Sequence, residues 1–298
     1  MLFRSRAGLN PSPADVKEFQ DSINRALSIA EARLQKNAND VGALYAQGVS
    51  YGLRGNYYFL VQKAYRDSLR DATSARKAHA RATELDASLT DARLVQGIYD
   101  YVIGSLPPLW KVLGFLAGFQ GDRERGIQTV QQVAREGRLN RVDAEVLLCA
   151  AYRRERRPKQ AVPLLTDLIQ RFPRNYLLRM ELVQMYGDLG EKDKALAVIR
   201  EMDQLRSQGA PGYAHLAEEK IRYTRGNLLF WYNDLDAAIE DLKFVTRNLA
   251  AVDLNTAVYA WLRLGQCYDL KGRREEATKA YYQTMVVAPT SEIGRAHV

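Results

Sequence analysis

The residues that could do chemistry in this chain are few, and their spacing argues against catalysis. Glu218-Glu219 and Glu275-Glu276 are sequence neighbours. Adjacent carboxylates on a helix point apart, whereas an acid–base pair faces its partner across a cleft. Asp122-Arg123-Glu124-Arg125 follows a turn and opens a helix, where capping and the helix dipole account for the acids. His79, His215 and His297 lack metal-site spacing. Cys149 and Cys267 are the two cysteines, each within an apolar helical stretch, and both read as buried thiols. Gly114, Gly118 and Gly121 sit in an apolar hairpin with no preceding strand and no Gly-Lys-Ser/Thr, so they do not form a phosphate loop. No serine stands in a nucleophile elbow. Neither an enzyme nor a cofactor or metal is expected.

The elements that carry these residues are helices. Composition allows a folded chain: 298 residues, 47% hydrophobic, 26% charged, with only 9 prolines. Asn10-Pro11-Ser12-Pro13 reads as a turn, with Ser12 or Pro13 opening a helix to about Gln35. Along it Phe19, Ile23, Leu27, Ala30 and Leu34 step by three and four, giving one buried stripe. Antiparallel pairs then follow. The first spans about 41–54 and 56–85, turning at Gly55, and the second opens at 90–104. The third is about 142–154 and 158–171, closed by Pro173, and the fourth 175–188 and 191–206, turning at Gly190. The fifth is about 214–231 and 234–248, turning at Asn233-Asp234, and the last 254–270 and 273–288, turning at Gly272. No stretch alternates as a half-buried strand does.

A 34-residue echo runs through the second half: Tyr152 and Ala161 recur as Tyr186 and Ala195. The last unit adds Trp261, Leu264-Gly265, Tyr268, Ala277, Tyr281 and Pro289. In order and spacing these resemble the tetratricopeptide repeat. Small Gly265 and Ala277 admit close helix approach, Tyr268 and Tyr281 fill the space between hairpins, and Pro289 stops the second helix. The resemblance covers most of the chain and implies an all-α, right-handed superhelix of about six antiparallel helical hairpins.

The first two units depart from the frame. Gly48, Tyr51 and Gly55 fit, but Ala75 and Ala82 arrive about fifteen residues late, so the second helix reads as extended, with an aromatic start at Tyr57, Tyr58, Phe59 and Tyr65. After Gly97 comes an apolar insertion at about 105–121, and the next helix carries Gly126 in the small-residue slot. The segment 105–137 resembles the eukaryotic inclusion-body clearance family of tetratricopeptide proteins associated with the mitochondrial outer membrane. The expected division is an elaborated half at 6–137 and regular repeats at 138–292.

In such a stack the first helix of each pair lines a concave groove. Counting along those helices places Tyr45, Leu94, Tyr101, Arg153, Arg154, Gln184, Asp188, Tyr223, Asn227, Trp231, Gln266 and Asp269 there. Aromatics beside hydrogen-bonding groups suit peptide capture, because rings bury area at low entropic cost and polar groups fix register. Tyr45, Leu94 and Tyr101 are equally explained by packing against neighbouring helices. The resemblance also brings a known grip on a C-terminal carboxylate, by Lys and Asn one turn apart. Asn227 fits, but Tyr223 stands one turn before it and the nearest lysine is Lys220, so that grip is incomplete and a chaperone-tail receptor is disfavoured.

The expected function is a non-catalytic scaffold that binds a protein or peptide through this groove. The alternative is a membrane-surface adaptor or apolar-ligand carrier using 106–119, where Leu109, Trp110, Phe115 and Phe119 accompany only one charge, Lys111. Internal packing of that insertion is favoured over a membrane contact. Nucleic acid is not an expected partner. The net charge of +8 is dispersed, and the run Arg153-Arg154-Glu155-Arg156-Arg157 falls at a hairpin turn.

Both ends read as foreign. Ile293 to Val298 is what a common short-read sequencing adapter encodes, and Met1 to Ser5 its reverse complement with GTG as start codon. The expectation is a fragment running from about Arg6 to Glu292. Compartment and oligomeric state are unreadable, with a bacterial periplasm or envelope ahead of the cytoplasm.

Overall fold

A computed structural model describes residues 12–108 and 120–288. The chain divides after Ala151 into two units, Met1–Ala151 and Tyr152–Val298. All regular structure among the described residues is helical.

Unit 1 holds α1 (Pro13–Lys36), α2 (Val41–Tyr57), α3 (Tyr65–Leu85), α4 (Arg93–Gly104), α5 (Arg123–Glu136) and most of α6 (Arg141–Arg154). Helix α1 begins where expected. Ser12 Oγ accepts the Asp15 amide while the Asp15 carboxylate accepts the Ser12 amide, a reciprocal cap with Pro13 in the first turn. Ile23, Leu27 and Ala30 are its buried stripe, packed against α2. Asp40 caps α2 through the Ala43 amide and also holds Arg33 at 2.8 Å, tying the end of α1 to the start of α2.

The reversal expected at Gly55 lies elsewhere. Helix α2 runs through Gly55, opens into a π-helical turn at Tyr58–Gln62 and reverses at Lys63, whose φ is 56°. The stretch 56–85 is thereby divided: Tyr57 ends the first helix, Tyr58 and Phe59 lie in the π-helical turn, and of these aromatics Tyr65 alone starts the second. One glycine inside a helix lowers its stability by about 1 kcal/mol but does not end it. Gly55 serves instead as a contact: a side chain there would stand 3.3 Å from the Ser68 carbonyl oxygen. Ala75 and Ala82, late in the repeat frame, are both fully buried on α3.

Helices α4 and α5 meet backbone to backbone. A Cβ on Gly126 would lie 2.4 Å from the Tyr101 amide nitrogen and 2.7 Å from the Gly97 carbonyl oxygen, so Gly126 fills the small-residue slot as expected. Buried Asp91 then fixes the approach to α6 by accepting the amides of Arg138, Leu139 and Asn140 at 3.1, 3.0 and 2.8 Å.

Unit 2 holds α7 (Pro158–Arg171), α8 (Tyr176–Asp188), α9 (Lys192–Ser207), α10 (Glu218–Trp231), α11 (Leu235–Arg247), α12 (Leu254–Leu270) and α13 (Arg274–Val287). Three of its pairs, α8/α9, α10/α11 and α12/α13, are antiparallel hairpins that turn at Gly190, Asn233 and Gly272, each with positive φ. Ala195, Ala238 and Ala277 are buried on the second helices, and Gly265 meets the Tyr281 ring, where a Cβ would come within 2.6 Å. Helix α10 starts at Glu218, later than expected, because the preceding segment turns around Tyr213. That ring is buried, and its hydroxyl accepts from Arg179 Nη1 at 2.6 Å and donates to the Pro173 carbonyl at 3.3 Å.

Candidate partner-binding face

Helices α10 and α12 are the first helices of consecutive hairpins in unit 2, and they pack against each other. Their shared face is organised by Arg263 on α12. Its Nε donates to Asn227 Oδ1 on α10 at 2.8 Å, and its Nη1 donates to Gln266 Oε1 at 2.7 Å. The guanidinium carbon lies 4.6 Å from the ring centroids of both Phe230 and Trp231, whose rings meet edge to face at 5.3 Å. Trp231 is 64% exposed, so an indole and a cation stand side by side at the surface.

The electrostatics of this cluster are unusual for an arginine. Both acceptors are neutral amides, and among the described residues no carboxylate pairs with Arg263. Burial pulls its pKa down from the ordinary value, against the influence of the Tyr223, Cys267 and Tyr259 side chains. A guanidinium stays protonated at any physiological pH, so the positive charge remains. Burial likewise pushes the Tyr223 phenol up to about 12 and the Cys267 thiol up to about 11. Tyr223 therefore stays a neutral hydrogen-bonding group, and Cys267 is no nucleophile at neutral pH.

Four of the sequence-predicted residues come together here: Tyr223, Asn227 and Trp231 on α10, and Gln266 on α12. Arg263, which links them, was not singled out in the sequence. The available signal was local: the residues three and four away are Tyr259, Ala260, Gln266 and Cys267, so no acid stands one turn from it on its own helix. Lys220, the lysine nearest Asn227, is bound to Asp253 and to Thr256 Oγ1 at 2.6 Å. Burial opposes ionisation of Asp253, yet Lys220 and the Thr256 amide and hydroxyl outweigh it and hold that carboxyl at about 2.

The other predicted positions lie apart from this cluster. Asp269 turns toward its own hairpin partner, accepting from Arg274 Nη1 at 2.6 Å and the Tyr281 hydroxyl at 2.8 Å. Gln184 donates to Asp188 at 2.7 Å along α8, and exposed Arg153 pairs with Glu181 at 2.9 Å. Arg154 is exposed beside it. In unit 1, Tyr45 stacks on His79 at 5.4 Å and its hydroxyl accepts from Asn140 Nδ2 at 2.9 Å. Leu94 is buried on α4, and Tyr101 is half-buried there with its backbone against Gly126. Leu109, Trp110, Phe115 and Phe119 lie outside the described residues, as do the two ends.

Four of the acids weighed for catalysis have structural partners. Asp122 caps α5 through the Arg125 amide at 2.7 Å. Glu218 bonds Arg222, Glu219 accepts from Asn248, and Glu276 pairs with Arg273. Among the described residues no group of three or more His, Cys, Asp or Glu is placed to hold a metal ion, and no helix is long and apolar enough to cross a membrane.

The paired helices with Gly or Ala at their close approaches form antiparallel helical hairpins, the fold that the resemblance to the tetratricopeptide repeat implied. No protein-family model matches the chain. No curated protein matches it either. Among solved structures, it is similar to the Cut9–Hcn1 hetero-tetramer of the APC/C, at 14% identity over 92% of this chain and 45% of that one, with a TM-score of 0.49. It is similar to yeast Tom70 at 15% identity over 96% and 59%, TM-score 0.48. A third is YrrB, a tetratricopeptide protein with an unusual peptide-binding site, at 16% identity over 90% and 96%, TM-score 0.36. The chain spans about half the length of the first two. At these values the site's chemistry rests on its own geometry.

Proposed function

We propose that this protein is a non-catalytic scaffold that binds a protein or peptide on the first-helix face of unit 2, centred on α10 and α12. The observation that carries this reading is the Arg263 cluster: a half-buried cation, two fixed side-chain amides and an exposed indole, converging from two helices. Such groups recur at binding hot spots, where an aromatic supplies area and an arginine supplies directional hydrogen bonds. The face is also pre-organised. Helix-borne side chains held by hydrogen bonds lose little freedom on binding, so more of the contact energy appears as affinity.

The test uses the full chain and peptides selected from a random display library. A photo-crosslinking residue is placed at Trp231, and separately at exposed Tyr282 on α13. Selected peptides are expected to crosslink at position 231 and not at 282. Crosslinking at 282 alone, or equal yield at both, removes this face as the binding surface.

A further inference from the structure

We propose that the α10–α12 face takes an acidic side chain, Asp or Glu, from within an extended peptide, its carboxylate meeting the open Nη2 end of Arg263 and an apolar neighbour lying on Trp231. The inference rests on the peptide-binding reading of this face and specifies the chemistry of its ligand.

The argument starts from what Arg263 lacks. A guanidinium is a planar fork of N–H donors matched to a carboxylate. Here Nε and Nη1 are held by the amide oxygens of Asn227 and Gln266, and Nη2 has no hydrogen-bond partner among the described residues. Neutral amides orient the plane without neutralising its charge. Burying a charge without a counter-charge is unfavourable, and a carboxylate from outside relieves that cost.

Three acids on or capping α11 and α12 are engaged elsewhere. Asp253 is held by Lys220, Asp269 by Arg274 and Tyr281, and Asp241 by Arg222 and Arg225. Arg179, another first-helix arginine of unit 2, already has Glu201 at 2.9 Å. Arg263 is thus set apart from its neighbours by the missing counter-charge. Its single charge matches a carboxylate, whereas a phosphate carries nearly two charges and suits a cluster of cations. The second half of the ligand follows from Trp231. An exposed indole beside the guanidinium gives an apolar residue next to the acid a flat surface to cover.

The experiment takes the peptides enriched on the full chain and measures each by fluorescence anisotropy, alongside a version with its acid changed to the amide. Both are run against wild type, Arg263→Gln, Arg263→Lys and Trp231→Ala. The expected peptides carry Asp or Glu beside an apolar residue. Changing the acid to its amide weakens binding to wild type about tenfold, the scale of one charge-assisted hydrogen bond, and barely changes binding to Arg263→Gln. Arg263→Lys keeps the charge without the fork and retains part of the acid preference, which separates recognition from misfolding. Peptides that need Trp231 but carry no acid, or an acid effect equal in wild type and Arg263→Gln, overturn this inference and leave the binding face standing. Loss of binding when the peptide's C-terminus is amidated overturns it in favour of chain-end capture. No enrichment, or peptides indifferent to Trp231→Ala, removes the face itself and this inference with it.

Discussion

Arg225 and Arg263 lie on the first helices of consecutive hairpins, yet their surroundings are opposite. Arg225 donates Nε and Nη2 to Asp241 at 2.6 and 2.5 Å, and Arg222 adds a third bond to that carboxylate at 3.0 Å. Asp241 is 0% exposed and sits on α11, against Gly226. This is a closed arrangement: charge meets charge inside one hairpin. Unit 1 repeats it, with Arg54 donating Nε and Nη2 to buried Asp71 at 2.6 and 3.0 Å, beside Gly55. In both hairpins the glycine after the arginine brings the second helix close enough for its Asp to be reached. At Arg263 the corresponding company is two amides and two rings. The difference teaches that an arginine on these helices is structural when its own hairpin supplies the acid, and available for recognition when it does not.

The largest predicted effect attacks the closed arrangement. Asp241→Ala leaves two guanidiniums facing a buried site without their carboxylate, and removing one member of a buried pair typically costs about 3–5 kcal/mol. Urea denaturation followed by helical circular dichroism measures it. Asp71→Ala, which strands only Arg54, is expected to cost about 3 kcal/mol and less than Asp241→Ala. Losses under about 1 kcal/mol in both would mean that these pairs do not hold the hairpins and that the contrast with Arg263 is empty.

How much of this was legible beforehand follows the same line. The hairpins of unit 2 were readable because Gly190, Gly272 and the Asn233 turn punctuate a regular apolar period. Gly55 misled because a glycine signals either a turn or a close approach. Composition around it does not separate the two, and the true reversal falls on Lys63, a residue with no turn preference. Tyr223, Asn227, Trp231 and Gln266 were singled out by counting along first helices. Arg263 was passed over because a lone arginine in an amphipathic helix ordinarily reads as solvated surface. Its role depends on Asn227, 36 residues away in sequence, which only the packing of α10 on α12 brings within reach.

A middle case lies on the same pair of helices. Asp253, the N-cap of α12, is bonded by Lys220 of α10 and is half-exposed. Its carboxyl is held at about 2 against an ordinary 3.8, so the group contributes stability above about pH 4 and loses it as pH falls toward 2. Solvent screening reduces the effect to about 1 kcal/mol. Thermal denaturation at pH 5 and at pH 2 should therefore show wild type losing about 1 kcal/mol more than Asp253→Asn, which has no such proton to gain. An equal loss in the two proteins would place Lys220–Asp253 among surface pairs of no consequence.

The smallest expected change in stability belongs to Arg263→Gln, and its smallness is the point. The substitution gives up two hydrogen bonds to neutral amides, each worth about 1 kcal/mol net, and contacts of the guanidinium with Phe230 and Trp231. Against this it removes a half-buried charge with no counter-charge, whose desolvation works against folding. The terms oppose each other, so the melting curve should move by no more than about 1 kcal/mol in either direction. A loss of about 3 kcal/mol or more would put Arg263 in the same class as the arginines of Asp241, held for the fold alone. A stable protein that has lost its preference for acidic peptides would separate the two arginines completely: one set by its own hairpin, the other completed by a ligand.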